Sequence, residues 1–369
     1  MTIALKLVAA NDTVGALLAL ADALGGKQAV FVTAPETNGL MPEVHGLPDQ
    51  VPDHIALIVE SSGSTGTPKR ISLSRDALLA SAKASDLALA GPGQWLLSLP
   101  INFIAGSNVL VRSLVAETQP VMMNTNLPFT PEAFSRAASM LTEPRRYTSL
   151  VPVQLKRLLD AAALDDYLLR QLQRFDAILV GGQALEAQLI ERALAAELKL
   201  VQSYGMSETA GGCLYDGKPL VGVGVRISDS GQIEISGATL AEGVADETGW
   251  YQTNDLGRVD EVGAIEVLGR ANRVLISGGL KVSLDAIEAQ VSAIGGVTEV
   301  AALALPDEEW GQRVALVYAG SPEVADYIAG EALVALGPAA KPVRVIRVAQ
   351  LPRLVSGKTD YLALGTHFE

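Results

Sequence analysis

Nine consecutive residues, Ser61-Ser62-Gly63-Ser64-Thr65-Gly66-Thr67-Pro68-Lys69, hold the densest reactive chemistry in the chain. They follow the apolar run Ile55-Ala56-Leu57-Ile58-Val59. An apolar run ending in a Gly/Ser/Thr cluster reads as a buried strand entering a loop. Gly63 and Gly66 let backbone N–H groups turn inward, the serines and threonines add hydroxyl donors, and Lys69 supplies a point charge. Such a nest of donors suits a chain of phosphates. A flexible surface linker shares this composition, but it needs neither the strand before, the lysine at its end, nor the capped helix expected straight after. The spacing is not that of the G-x-x-x-x-G-K-[ST] loop: the glycines lie three apart, Pro68 precedes the lysine and Arg70 follows it.

Other residues could join that chemistry. In Ser203-Tyr204-Gly205-Met206-Ser207-Glu208-Thr209, expected just past a strand, Tyr204 offers a ring face and Glu208 a carboxylate for a hard cation such as Mg²⁺. The same text is equally an ordinary polar loop. Tyr251-Gln252-Thr253-Asn254-Asp255 places a carboxylate after a strand, where it could accept from ribose hydroxyls or simply cap a turn. Arg270 follows Gly269 at a change of character in the chain. Ser356-Gly357-Lys358 reads as a mobile tip with one amine, which standing alone would be a solvated lysine.

Composition narrows the partners. At 369 residues the chain is too long for one ordinary core, so two or more domains are expected. Hydrophobic residues make up 49% and charged ones 19%, which fits a well-packed soluble protein. A net charge of −13 argues against nucleic acid and anionic membrane surfaces. Cys213 is the single cysteine, so no internal disulfide framework exists. The start carries no secretory pattern and no run approaches a membrane span, so a cytoplasmic location is the default expectation. With three histidines and no His/Cys cluster, a zinc site and a Ser-His-Asp triad are disfavoured.

These residues need elements to position them. The pattern predicts a helix over 13–24, a strand over 28–33 and a Pro-rich connection over 34–53. Ser74 reads as the N-cap of a helix over 75–88. Strands follow over 95–99, 120–123, 146–151, 177–180 and 199–203. Helices are expected over 104–116, from Thr130-Pro131-Glu132, and over 152–160. Strand–loop–helix alternation predicts a parallel α/β core with its ligands just past the strand ends. From residue 220 short strands with turns predict a β-rich subdomain. After Gly269, strands over 297–305, 313–318 and 343–348 with a helix over 322–336 predict a small α+β domain.

Taken together and in order, the fragments resemble the adenylate-forming (acyl-CoA synthetase) superfamily from about residue 51 onward. SSGSTGTPK is similar to its phosphate loop and SYGMSET to its adenine-and-magnesium motif. IEISGATLAEGV, YQTND, GRANRVLISGG and PRLVSGK are similar to its later signatures. Within it, RRYTSLVPVQL, SYGMSETAGGCLYDG and ISGG most resemble the short o-succinylbenzoate–CoA ligases of menaquinone synthesis.

The resemblance implies a large N-terminal ATP/acyl-binding domain over 1–269, shortened at its start, and a mobile C-terminal lid over 270–369, with ATP in the crevice. It implies an AMP-forming acid–thiol ligase using a carboxylic acid, ATP, Mg²⁺ and coenzyme A. In that reading Lys358 bridges carboxylate and α-phosphate, and Glu208 holds the metal. Ser61, Ser62, Gly63, Ser64, Thr65, Gly66 and Lys69 hold phosphates. Tyr204 stacks on adenine opposite Gly181-Gly182-Gln183, supported by Ser203, Gly205, Ser207 and Thr209. Asp255 and Arg270 take the ribose, and Gly279 gives coenzyme A close passage. Asn102 and Phe103 gate the acyl pocket, while Arg146 and Ser149 are the expected donors to a spare substrate carboxylate.

The sequence departs from the family text at Arg70, Asn102-Phe103, Asn254 and Asn272. Rival readings are an adenylation enzyme for another acid or for a carrier protein, and a non-catalytic nucleotide-binding relative. A homodimer is the assembly considered.

Overall fold

A computed structural model describes residues 1–61, 69–330, 332–353 and 359–368, Ser61 by its backbone alone. The chain divides into two compact units. The first comprises Met1–Leu185, Leu189–Arg226 and Glu234–Gln252; the second comprises Glu186–Gln188, Ile227–Ile233 and Thr253–Glu369.

The chain opens on β1 (Thr2–Ala9), a strand absent from the sequence reading. It continues through α1 (Thr13–Leu24), β2 (Ala29–Thr33), β3 (Gln50–Pro52), β4 (Ile55–Ser61), β5 (Lys69–Ser74) and α2 (Arg75–Ala88). These strands form one sheet in the order β3-β1-β2-β4-β5, with β1, β2 and β4 parallel and both edge strands antiparallel. Ser61 at the end of β4 pairs with Lys69 at the start of β5. The glycine-rich segment thus joins two antiparallel neighbours, and a strand rather than a helix follows it. The expected helix begins only after β5, where the Ser74 hydroxyl accepts from the Ala77 N–H at 3.1 Å and Asp76 meets the positive end of the helix.

A second sheet is built from β6 (Gln94–Leu97), α3 (Ile104–Val115), β7 (Val121–Met122), α4 (Pro131–Ala138), β8 (Arg146–Leu150), α5 (Pro152–Ala162), α6 (Asp166–Gln173), β9 (Ala177–Gly181), α7 (Ala187–Ala195), β10 (Leu200–Met206), β11 (Gly211–Tyr215) and β12 (Lys218–Pro219). Its order is β12-β11-β10-β9-β8-β6-β7. The run from β7 to β10 is parallel, as the alternation predicts, and β11 and β12 add an antiparallel edge. Because side chains alternate along a strand, Leu96, Leu150, Ile178 and Val180 reach one face and pack with Phe134, Leu155, Leu172 and Phe175. Trp95 and Tyr147 take the other face, their rings 5.1 Å apart. The buried Arg112 guanidinium of α3 lies 4.9 Å above the Trp95 ring.

Past residue 220 come β13 (Val223–Ile227), β14 (Gln232–Gly237), β15 (Trp250–Val259) and β16 (Ile265–Arg270), a four-stranded sheet in that order. In the second unit β17 (Val274–Ser277), β18 (Leu280–Ser283), α8 (Leu284–Ser292), β19 (Val297–Asp307), β20 (Gly311–Gly320), α9 (Ala325–Gly330), β21 (Arg344–Val348) and α10 (Tyr361–Gly365) follow. Their sheet runs β18-β17-β20-β19, with β21 parallel to β20. Its core gathers Leu275, Ile287, Val291, Val314, Leu316 and Ile328. The helix expected over 322–336 is instead the six-residue α9 flanked by short 3-10 turns. Gly330 ends it, a residue about 1 kcal/mol worse than Ala inside a helix. Among the described residues no helix is long and apolar enough to cross a membrane.

Candidate active site

The C-terminal ends of the parallel strands β6, β8, β9 and β10 share one edge of their sheet, the edge where open α/β sheets take ligands. At that edge Gly181 ends β9 and pairs with Ser203 of β10, with Gly182 and the exposed Gln183 directly beyond. β10 runs further than the expected end at Ser203, to Met206, so Tyr204 and Gly205 also lie inside the strand. The cause is pairing with β11, which holds Tyr204 opposite Leu214.

Ser207, Glu208 and Thr209 then form a single 3-10 turn. Thr209 corrects its expected role. It is fully buried, its hydroxyl accepting from the Met206 N–H at 3.1 Å and donating to the Gly211 carbonyl at 2.7 Å. It holds the turn and has no side-chain surface for a nucleotide. Glu208 is half-buried, and among the described residues its carboxylate has no hydrogen bond or ion pair. Its backbone carbonyl accepts from the Ala241 N–H at 2.9 Å, and the adjacent Glu242 N–H donates to the Ser72 carbonyl of β5, also at 2.9 Å.

This donor set suits Mg²⁺. No cluster of three His, Cys, Asp or Glu side chains able to hold a metal exists among the described residues. Mg²⁺ commonly binds through one carboxylate plus substrate phosphates and water.

The acyl-side candidates separate. Asn102 and Phe103 sit in the turn between β6 and α3, where the Phe103 N–H bonds the Pro100 carbonyl at 3.3 Å. Ser149, near the C-terminal end of β8, is 7% exposed, and its hydroxyl has no partner among the described residues. Arg146 opens the same strand and pairs with Gln94, at the opposite edge of the sheet. Three residues of strand put it about 10 Å from Ser149. Its Nε donates to the Glu143 carbonyl at 2.8 Å. Burial, then the neighbouring Arg174, pull its pKa below the usual guanidinium value against the opposing pull of Asp176. The expectation that Arg146 meets a substrate carboxylate is therefore corrected: it belongs to the far edge.

In the second unit Asp255 and Arg270 come together. They are cross-strand partners on β15 and β16, with Nε–Oδ1 at 3.1 Å. Asp255 lies within a strand rather than after one, and is 7% exposed. The Arg270 N–H also donates to Asp285 at 2.7 Å. Gly278 and Gly279 form the two-residue tip between β17 and β18, with φ of 55° and 80°. Two positive φ values are what a type I′ hairpin turn demands.

A network unforeseen in the sequence surrounds Asn272. Arg273, one residue on, pairs with Asp285 and, at 2.5 Å, with Glu288; its guanidinium lies 4.2 Å over the Tyr361 ring. The Tyr361 hydroxyl donates to Glu288 at 3.0 Å, and the Ala302 N–H donates there at 2.7 Å. Burial raises the Glu288 pKa more than Arg273 lowers it, and burial with Glu288 beside it raises that of Tyr361. The one sequence signal was the acidic spacing in Leu284-Asp285-Ala286-Ile287-Glu288, which puts both carboxylates on one helical face.

Lys69 opens β5 and is exposed. Ser62, Gly63, Ser64, Thr65, Gly66 and Lys358 lie outside the described residues. The stem of the segment that carries Lys358 is described: Arg353 bridges Thr359 and pairs with Glu299.

Residues 7–244 match the AMP-binding enzyme family, and residues 286–358 match the AMP-binding enzyme C-terminal domain. This chain belongs to the AMP-binding enzyme family. A family member from Mycobacterium tuberculosis, a probable 2-succinylbenzoate–CoA ligase, is 38% identical over 380 residues, covering 99% of this chain and 98% of its own. ATP-bound MatB from Rhodopseudomonas palustris superposes with a TM-score of 0.76 at 23% identity, over 98% of this chain and 79% of that one. The o-succinylbenzoate CoA synthetase of Bacillus subtilis, solved with its acyl-adenylate intermediate, gives 0.73 at 21% identity, over 93% and 79%. The last two likenesses establish the fold of an AMP-binding enzyme, in agreement with the α/β expectation.

Proposed function

We propose that this AMP-binding enzyme is a 2-succinylbenzoate–CoA ligase. The observation that carries the reading is the end-to-end likeness, at 38% identity, to a relative of that name. The geometry supports it with a nucleotide-type strand edge, a Glu208 carboxylate without a partner among the described residues, and the paired Asp255 and Arg270.

A carboxylate anion resists attack by a thiol, so it must first be activated. A substrate carboxylate oxygen attacks the α-phosphorus of ATP, forming the acyl–O–P bond while the bond to pyrophosphate breaks. The coenzyme A thiolate then attacks the acyl carbon, forming C–S and releasing AMP with the C–O electron pair. The first step brings two anions together, so its catalysis rests on positioning and charge stabilisation.

In this reading Lys358 neutralises the approaching carboxylate and α-phosphate, and Lys69 with the serines and threonines of 61–67 holds the distal phosphates. Tyr204 and Gly181-Gly182-Gln183 flank adenine, and Asp255 with Arg270 meets the ribose. Mg²⁺ on Glu208 would offset phosphate charge. Ser149 and Asn102 face the acid, and Gly279 admits the pantetheine arm. The boundary at Gly269 and a cytoplasmic location belong to the same proposal.

The test is chemical. Protein given o-succinylbenzoate, ATP and Mg²⁺ without coenzyme A should accumulate the acyl-adenylate with one pyrophosphate, seen by mass spectrometry. ADP and phosphate in their place would refute it.

A further inference from the structure

The turn that carries Glu208 is fixed from behind by two side chains that lie in none of the nucleotide motifs. Ala210, which closes the turn, has φ 50° and is not glycine. L-residues adopt this left-handed conformation only at a cost, and it persists where the surroundings over-determine it. Two donors do so here. The Ala210 carbonyl accepts from Ser81 Oγ of α2 at 2.9 Å and from Asn108 Nδ2 of α3 at 2.8 Å. Both side chains are buried, 1% and 2% exposed. Both lone pairs of one carbonyl are therefore filled by rigid helices. Gly211 follows with φ 98°, and a Cβ there would stand 2.0 Å from Asn108 Nδ2, so the amide occupies the space a side chain would need.

On its other side Glu208 is tied through its own carbonyl to Ala241, leaving the carboxylate as the part of the residue that no neighbour among the described residues holds. A backbone fixed at both ends sets the Cα–Cβ direction from which that carboxylate reaches out.

We propose that Asn108, assisted by Ser81, is a positioning residue for Glu208. Its amide locks the left-handed turn and so sets the direction of the carboxylate toward a divalent cation carried by the nucleotide. The inference rests on the reading of Glu208 as the cation ligand. Groups that orient a metal ligand typically change metal affinity about 10–100-fold when removed.

The test compares Mn²⁺ uptake in the presence of a non-hydrolysable ATP analogue, followed by electron paramagnetic resonance, with metal-free AMP binding by calorimetry. Asn108→Leu keeps the bulk and removes the donor; Mn²⁺ affinity should fall about tenfold or more while AMP affinity stays unchanged. Ser81→Ala should shift Mn²⁺ affinity in the same direction by less, and it serves as the deciding variant should Asn108→Leu fail to fold. A variant that weakens Mn²⁺ and AMP binding equally, or weakens neither, overturns the proposal. Glu208→Gln is measured alongside. If it leaves Mn²⁺ uptake intact, the reading of Glu208 falls and this inference with it. If it weakens uptake while the Asn108 and Ser81 variants do not, this inference alone falls.

Discussion

The side-chain oxygens of Glu208 and Ser149 have no hydrogen-bond partner among the described residues, and each makes a prediction. Glu208→Gln keeps shape and removes charge. Loss of a preorganised electrostatic group typically costs about 10²–10³ in rate, so Mg²⁺-dependent pyrophosphate release should fall by about that factor. Release at the wild-type rate would contradict the assignment. Ser149→Ala should raise KM for the dicarboxylate acid about tenfold, since a hydrogen bond to a charged group contributes roughly 1.5–3 kcal/mol. The same change should leave KM for a monocarboxylate analogue untouched. Arg146→Ala should alter neither. The resemblance implies that Arg146 and Ser149 both serve the spare carboxylate. Strand direction separates them to opposite edges of the sheet, and direction is not written in the five residues RYTSL. Thr209 was likewise legible as a polar residue in a motif, but its burial was not.

Elements were most legible where local chemistry decides them. Ser74 before α2 and Thr130-Pro131-Glu132 before α4 are N-caps in the structure as expected, with Thr130 accepting from Ala133 at 3.2 Å. They were least legible where a distant partner decides. β10 extends to Met206 because β11 pairs with it, and β15 runs on through Asp255 because β16 pairs with it there. The network of Arg273, Asp285, Glu288 and Tyr361 is of the same kind, assembled from three separate stretches. Glu288→Gln removes one of two carboxylates from a buried guanidinium and should destabilise the second unit by about 1–3 kcal/mol.

Its pH dependence has a definite sign. Glu288 has a folded pKa raised above the ordinary carboxylate value. Its contribution is thus fullest below the unfolded value and is lost as pH rises through the folded one. The stability of wild type relative to Glu288→Gln, followed by urea titration across the acidic range, should therefore shrink with rising pH. A gap that widens would contradict the assignment.

At the scale of the whole molecule, two half-reactions are asked of one chain, and the proposed function gives each its own group in the second unit. Lys358 stands on a segment whose stem is clamped by Arg353, Glu299 and Thr359; Gly279 stands at the tip of the β17–β18 hairpin. Lys358→Ala should lose acyl-adenylate formation yet still convert supplied acyl-adenylate and coenzyme A to thioester. Gly279→Leu should do the reverse, forming adenylate and stalling. Equal loss of both half-reactions in folded variants would show that the two groups do not divide the work.

A ligase of this kind is defined by the acid it activates. Purified protein should be given ATP, Mg²⁺, coenzyme A and, in parallel, o-succinylbenzoate, benzoate, malonate and a fatty acid, with AMP and thioester quantified together. Thioester and AMP are expected in equal amounts from o-succinylbenzoate, with the other acids giving at most traces. Equal or faster turnover of any other acid, or AMP without thioester from o-succinylbenzoate, would contradict the proposed function.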